Sequence, residues 1–297
     1  METFGDLEQK ILNGEPFTRA DAERVVACPD LVSVGLLGEQ ARKAMHGNRV
    51  TFGRVCVLEP GQPATTWGEA GELRLAGKPA SIAEARERVR SAVALAPGVP
   101  LSGFSAADLL ELAGGDHLGL VDVATALKRE GLESVAEVPL DLLGDTENVV
   151  EVVRAVRHSG LAAWRATVSS ATMDQRLGLI ERAATVQRET GAFKAFAPLP
   201  RVDVPEQPST GYDDVRTIAL ARLICRGIAS IQVDWALYGP KLAQVAMAYG
   251  ADDIDGVSAS DTLNLGPRRA PREEIERHIR AAFADPIERD GRYETRA

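Results

Sequence analysis

The stretch at 238–256, Tyr-Gly-Pro-Lys-Leu-Ala-Gln-Val-Ala-Met-Ala-Tyr-Gly-Ala-Asp-Asp-Ile-Asp-Gly, constrains this chain more than any other. Gly239 and Pro240 close one element and open a helix, because the fixed φ of proline suits a first helical turn. Leu242, Val245, Ala246 and Tyr249 then recur at helical spacing and give that helix one apolar face. Gly250 ends it, and a strand at 252–255 follows at once. Strand, helix and strand with tight joints form the grammar of a parallel α/β protein.

The same alternation runs back through the chain. Three helices are expected within 5–47, with Thr18 capping the second. Strands are expected at 50–58, 72–76, 99–104, 134–138, 161–168, 192–197 and 228–235. Between them the helical patterns fall at 81–95, 106–112, 120–129, 148–157, 173–189 and 212–226. Eight strands alternating with helices predict a (β/α)8 TIM-type barrel with an N-terminal helical extension and a C-terminal helix and tail. The predicted divisions are 1–49 for the extension, 50–270 for the barrel, and 271–297 for a helix at 271–283 and a tail draped over the barrel. A doubly wound sheet is the competing architecture. No Gly-rich phosphate loop follows the first strand, which argues against it.

At 297 residues the length suits such a barrel, which takes about 250. Hydrophobic content of 45 % against 26 % charged permits a large core. The net charge of −9 and the lack of a dense basic run point away from nucleic acid. No apolar run reaches the roughly 20 residues of a membrane span, and the acidic N-terminus does not read as a signal sequence. The three cysteines, Cys28, Cys56 and Cys225, are odd in number and far apart. A cytoplasmic protein without disulfides is the expectation, with Cys56 in the core. The four histidines show no metal-ligand spacing, so no metal site is expected.

Strand parity indicates which side chains face inward. It selects Glu72 and Arg74 on the second strand, Glu137 closing the fourth, and Arg165 and Thr167 on the fifth. It adds Lys194 and Phe196 on the sixth, Gln232 and Asp234 on the seventh, and Asp253 and Asp255 on the eighth. Buried charges must be paired or used. Either these groups line a polar pocket for a nucleoside-like ligand, or they neutralise one another as a plug. The sequence leaves both open.

Several long strings carry a resemblance: the N-terminal helices through Gly47-Asn48-Arg49-Val50, then 99–109, 127–134, 187–200, 210–222, 238–256 and 286–293. In these the chain resembles the aminofutalosine synthase family of radical SAM enzymes, which serve the futalosine route to menaquinone. The resemblance implies a barrel with a site shaped around S-adenosylmethionine and a second small molecule. It also implies a Cys-x3-Cys-x2-Cys loop after the first strand, holding a [4Fe–4S] cluster by three thiolates. Here that loop, at 56–68, contains Cys56 alone, so no cluster is expected, and S-adenosylmethionine is retained only as a candidate ligand. The family pattern is kept at Glu137, Thr167, Asp253 and Asp255. It is altered at Gly77-Lys78, at Ser134-Val135, and by Arg165 and Lys194, each of which adds bulk or charge. The expected catalytic groups are Glu137, Asp253 and Asp255; the expected ligand contacts are Gly77, Ser105, Arg165, Thr167, Lys194 and Asp234. Two functions are expected, the first from the resemblance and the second from the ionisable groups at the strand ends. One is a non-radical relative that binds a pathway intermediate, or joins a cluster-bearing menaquinone-pathway enzyme or another copy of itself. The other is an enzyme of polar acid/base chemistry on a nucleoside or chorismate-derived compound.

Overall fold

The computed structural model describes residues 4–61, 67–202, 209–259 and 272–296. Three helices come first: α1 (Gly5–Asn13), α2 (Arg19–Ala27) and α3 (Leu31–His46). Eight parallel strands follow: β1 (Arg49–Leu58), β2 (Glu72–Leu75), β3 (Leu101–Ser105), β4 (Ser134–Pro139), β5 (Arg165–Val168), β6 (Ala195–Pro200), β7 (Ser230–Asp234) and β8 (Asp253–Ser258). β8 pairs with β1, and β1 pairs with β2 from Val55↔Glu72 to Leu58↔Leu75, so the sheet closes into a (β/α)8 barrel. Around it lie α4 (Ile82–Leu95), α5 (Ala106–Leu112), α6 (His117–Glu130), α7 (Thr146–His158), α8 (Met173–Thr190), α9 (Gly211–Ile224) and α10 (Trp235–Met247).

Local chemistry sets where these helices begin. Ser81, Asp116, Asp145, Thr210 and Asp234 each accept a backbone N–H from the turn that follows, which satisfies donors a helix leaves open. The valines of α7 at 149, 150, 152, 153 and 156 form the stripe that buries this helix on the sheet. α10 starts earlier than Gly239-Pro240 suggests, because Asp234 caps a turn at Trp235. Gly239 (φ 74°, ψ 173°) then breaks that turn, and Pro240 restarts the helix.

The N-terminal helices pack on the barrel through α3 and α9. Gly35 and Gly38 of α3 lie against Tyr249, and a Cβ at Gly38 would sit 2.2 Å from the Tyr249 carbonyl oxygen. Gly38→Ala must push α3 off this contact. Urea unfolding is expected to show a loss of about 1–3 kcal/mol, and an unchanged midpoint would mean that the helix pair shifts freely.

Two elements differ from expectation. β5 begins at Arg165, not 161, and the residues before it supply only an isolated bridge, Ser134↔Ala162. There the chain passes under the barrel, and the Trp164 ring stacks below the Lys194 ammonium at 4.7 Å. The segment expected as a draped tail is part of the sheet. After α11 (Arg272–Ala281), β9 (Asp285–Arg289) pairs in parallel with β1 from Arg49↔Asp285 to Gly53↔Arg289. β9 therefore lies beside the first half of β1, below the point where β2 takes over. The following residues enter the N-terminal end of the barrel, where Gly291 N donates to Gly71 O and Arg292 pairs with Glu133 at 2.7 Å. The predicted helix start at 271, the predicted barrel end at 270 and positions 62–66 of the 56–68 loop lie outside the described residues.

Candidate ligand site at the barrel mouth

The barrel interior is built in tiers. At the bottom Asp253 accepts two hydrogen bonds from Arg289, both 2.7 Å, together with bonds from Thr51 and Gln232. Above it Asp255 receives Arg74 at 2.8 and 3.1 Å, Arg165, and Arg289 at 3.3 Å. Arg74 also spans both oxygens of Glu72 at 2.9 Å. Three carboxylates and three guanidiniums thus form a closed, hydrogen-bonded block. Burial alone would raise the Asp255 carboxyl, but the guanidiniums of Arg74 and Arg165 override it and hold the group well below the usual carboxylate range.

A bulge shapes the strand that carries this block. β8 has one residue more than β1 between Ile254 and Val257, and Gly256 there adopts φ 69°. A Cβ on Gly256 would meet Asp234 Oδ1 at 2.8 Å, so only glycine lets β8 pass this carboxylate.

On top of the block lies a cavity of about 450 Å³ at the C-terminal ends of the strands, within the range of small-molecule sites. Its walls combine Val55, Phe104, Trp67 and Leu237 with the charged groups Glu137, Arg201 and Asp234. Arg201 lies between the two carboxylates, 3.6 Å from Glu137 and 3.8 Å from Asp234. These separations are too long for hydrogen bonds, and Arg165 stands 3.8 Å from Glu137 on the other side. Glu137 Oε2 is buried without a hydrogen-bond donor among the described residues. Asp234 Oδ1 accepts from Leu237 N at 3.0 Å. Burial, then the Asp255 charge beneath, pushes the Asp234 carboxyl above its usual range. Phe104 holds φ 55° at the cavity wall, with the Arg88 guanidinium 5.0 Å from its ring. A bulky residue in that conformation is strained and persists only where its surroundings fix it.

Of the residues selected from sequence, Gly77, Ser105, Glu137, Arg165 and Asp234 line this cavity. Asp255 lies just beneath its floor. Asp253 is sealed below by Arg289 and does not reach it. Thr167 is fully buried outside the lining. Lys194 is at the opposite end of the barrel, where its Nζ donates to the Arg292 carbonyl at 2.7 Å; parity gave its face but not its height. Sequence reasoning missed Arg201 and Phe104. The available signal for Arg201 was its place directly after a strand, where barrels carry function, but the strand, which ends at Pro200, was expected to stop three residues earlier. Cys56, expected in the core, is half-buried in the cavity wall, and burial raises its thiol.

The fold and this site define a (β/α)8 barrel with a cavity of mixed apolar and charged lining at its C-terminal mouth. Two solved structures share the fold. Methylornithine synthase aligns with a TM-score of 0.67 at 13 % identity, covering 94 % of this chain and 97 % of that one. HydG, a maturase of the [FeFe]-hydrogenase, aligns with a TM-score of 0.64 at 10 % identity, covering 95 % and 74 %. In sequence the chain is 26 % identical to aminodeoxyfutalosine synthase of Streptomyces coelicolor, over 97 % of this chain and 93 % of that protein. The Thermus thermophilus enzyme of the same name is 27 % identical over 66 % of this chain. A 5-amino-6-(D-ribitylamino)uracil–L-tyrosine 4-hydroxyphenyl transferase of Methanothermobacter thermautotrophicus is 31 % identical, also over 66 %. The chain spans 60 % and 62 % of the length of these last two. No family model matches the chain. The chain is a relative of the aminofutalosine synthases, as its residue strings suggest.

The residues present do not fit the [4Fe–4S] cluster that this resemblance implies. Cys28 caps the C-terminus of α2 and its Sγ lies 3.6 Å from the Asp30 carbonyl. Cys225 caps the C-terminus of α9, its Sγ donates to Ile180 O, and burial pushes its thiol up to about 12. Cys56 alone belongs to the cavity. Among the described residues no group of three or more His, Cys, Asp or Glu side chains is arranged to hold a metal ion. No described helix is long and apolar enough to cross a membrane.

Proposed function

We propose that this protein is a non-radical, ligand-binding relative of the aminofutalosine synthases, taking a small nucleoside-like molecule of the futalosine route into its barrel mouth. The carrying observation is the dispersal of the three sulfurs to α2, β1 and α9. A cubane cluster needs converging thiolates, and this chain brings one to the mouth, where a polar cavity stands open. Anaerobic incubation with iron and sulfide is expected to leave no stoichiometric iron and no visible charge-transfer band. Calorimetric titration with S-adenosylmethionine, adenosine and aminofutalosine is expected to give one-to-one binding for at least one of them. A stoichiometric cluster, or no heat from any of the three, overturns this reading.

Acid/base turnover in the same cavity is a second reading, favoured by Glu137 and Asp234 facing each other across Arg201. The raised Asp234 carboxyl suits a proton donor and Glu137 an acceptor. Asp255, held ionised by its arginines, has no proton to give in that chemistry.

A further inference from the structure

The tiers differ in their charge balance. The lower block pairs Glu72, Asp253 and Asp255 with Arg74, Arg165 and Arg289, one guanidinium for each carboxylate, and hydrogen bonds join them all. Among the described residues the cavity tier adds two carboxylates, Glu137 and Asp234, and one further guanidinium, Arg201, which hydrogen-bonds to neither. Arg74 and Arg165 also reach the cavity wall, but both are hydrogen-bonded to Asp255 below. The remaining ionisable carboxylates in the wall, Glu59 and Asp108, add to the negative side. Asp108 is occupied in the cap of α5, where it accepts the Ser105 N–H. Counted over the described residues, the two tiers together are short of one positive charge, at a place where Glu137 Oε2 is buried without a hydrogen-bond donor among those residues.

We infer that the cavity selects a ligand carrying a cationic nitrogen, an ammonium or amidinium group, which docks beside Arg201 on the cavity side of Glu137 and Asp234 with its apolar body against Phe104 and Trp67. This rests on the ligand-binding reading of the cavity and specifies the class of molecule it takes. A bound cation supplies the donor that Glu137 Oε2 lacks among the described residues and completes the charge balance that the lower tiers already have. Charge-assisted bonds of this kind are roughly twice as strong as neutral ones, so charge outweighs shape among ligands of equal size. Arg201 plays an opposing part: it repels the cationic group and would attract an anion.

Three probes of one size separate the alternatives: benzylamine, benzyl alcohol and benzoate, titrated calorimetrically against the full chain alongside adenosine and S-adenosylmethionine. Benzylamine is expected to bind at least about tenfold more tightly than benzyl alcohol, and benzoate more weakly than either. Glu137→Gln should remove most of the benzylamine preference. Arg201→Gln, at a partly exposed position with no hydrogen bond to lose, should strengthen it, which a merely structural role would not do. Benzoate binding more tightly than benzylamine overturns the inference and makes Arg201 an anion anchor. Adenosine binding without any benzylamine preference overturns the charge assignment and leaves ligand binding standing. Silence from all five molecules overturns the charge assignment, and silence from aminofutalosine as well overturns ligand binding.

Discussion

Replacing Asp255 by alanine is expected to destabilise the barrel by about 3–5 kcal/mol or to prevent folding. The carboxylate is fully buried and receives Arg74, Arg165 and Arg289 at once. Its removal leaves three buried guanidiniums facing two carboxylates. Because native domains hold only about 5–15 kcal/mol in reserve, the loss is a large share of the total. Asp255→Asn keeps the volume and some hydrogen bonds but not the charge, so it should fall between alanine and the natural residue. Urea unfolding followed by circular dichroism measures both, and a change under about 1 kcal/mol for alanine would mean that the block is not held by its charges. The pH dependence has a definite sign. The folded carboxyl is held below its ordinary 3.8, so its contribution is complete above that value and is lost as pH falls through the lower folded value. Acid unfolding through this group should therefore begin only below about pH 4, and Asp255→Asn should lack that component.

Tyr293→Ala is expected to cost about 3 kcal/mol, the lower end for loss of an aromatic ring, because the residue is half-buried. The Tyr293 ring lies under the Arg289 guanidinium, 4.2 Å from its centroid, and edge-on to Trp164 at 6.5 Å. Without it, water gains access to Arg289, whose bonds to Asp253 and Asp255 complete the lower tiers. Tyr293→Phe keeps the ring and should cost little, since the hydroxyl makes only a 3.4 Å contact with Gln232. Burial pushes that hydroxyl up to about 12, so it stays protonated at neutral pH. Equal losses in the two variants would place the contribution in the hydroxyl and refute the ring as the seal.

Periodicity and parity carry most of the barrel. The helix and strand spacings predict its alternation, and parity correctly turns Glu72, Arg74, Arg165 and Asp234 inward. Parity has a period of two and no zero, however, so it cannot say how high along the barrel a side chain sits. Lys194 and Asp253 share their faces with cavity residues yet belong to the bottom. Height is set by the stagger between strands, which depends on pairings made far apart in the chain. Arg201 was hidden for a different reason: Pro198 and Pro200 read as the end of a strand that continues through them. β9 escaped because it is five residues long, carries Pro286, and among the described strands pairs with β1 alone, as an edge strand can.

The place of β9 bears on how the molecule is assembled. Arg54 is bonded to Glu288, 234 positions further along, so the first barrel strand acquires its full set of neighbours only from the far end of the described chain. Contacts of such long range are slow to form, because loop closure precedes any gain from them. During synthesis the early strands wait with an open hydrogen-bonding edge and with Arg74 lacking Asp255. Such a nascent chain is exposed to aggregation until the β9 segment arrives.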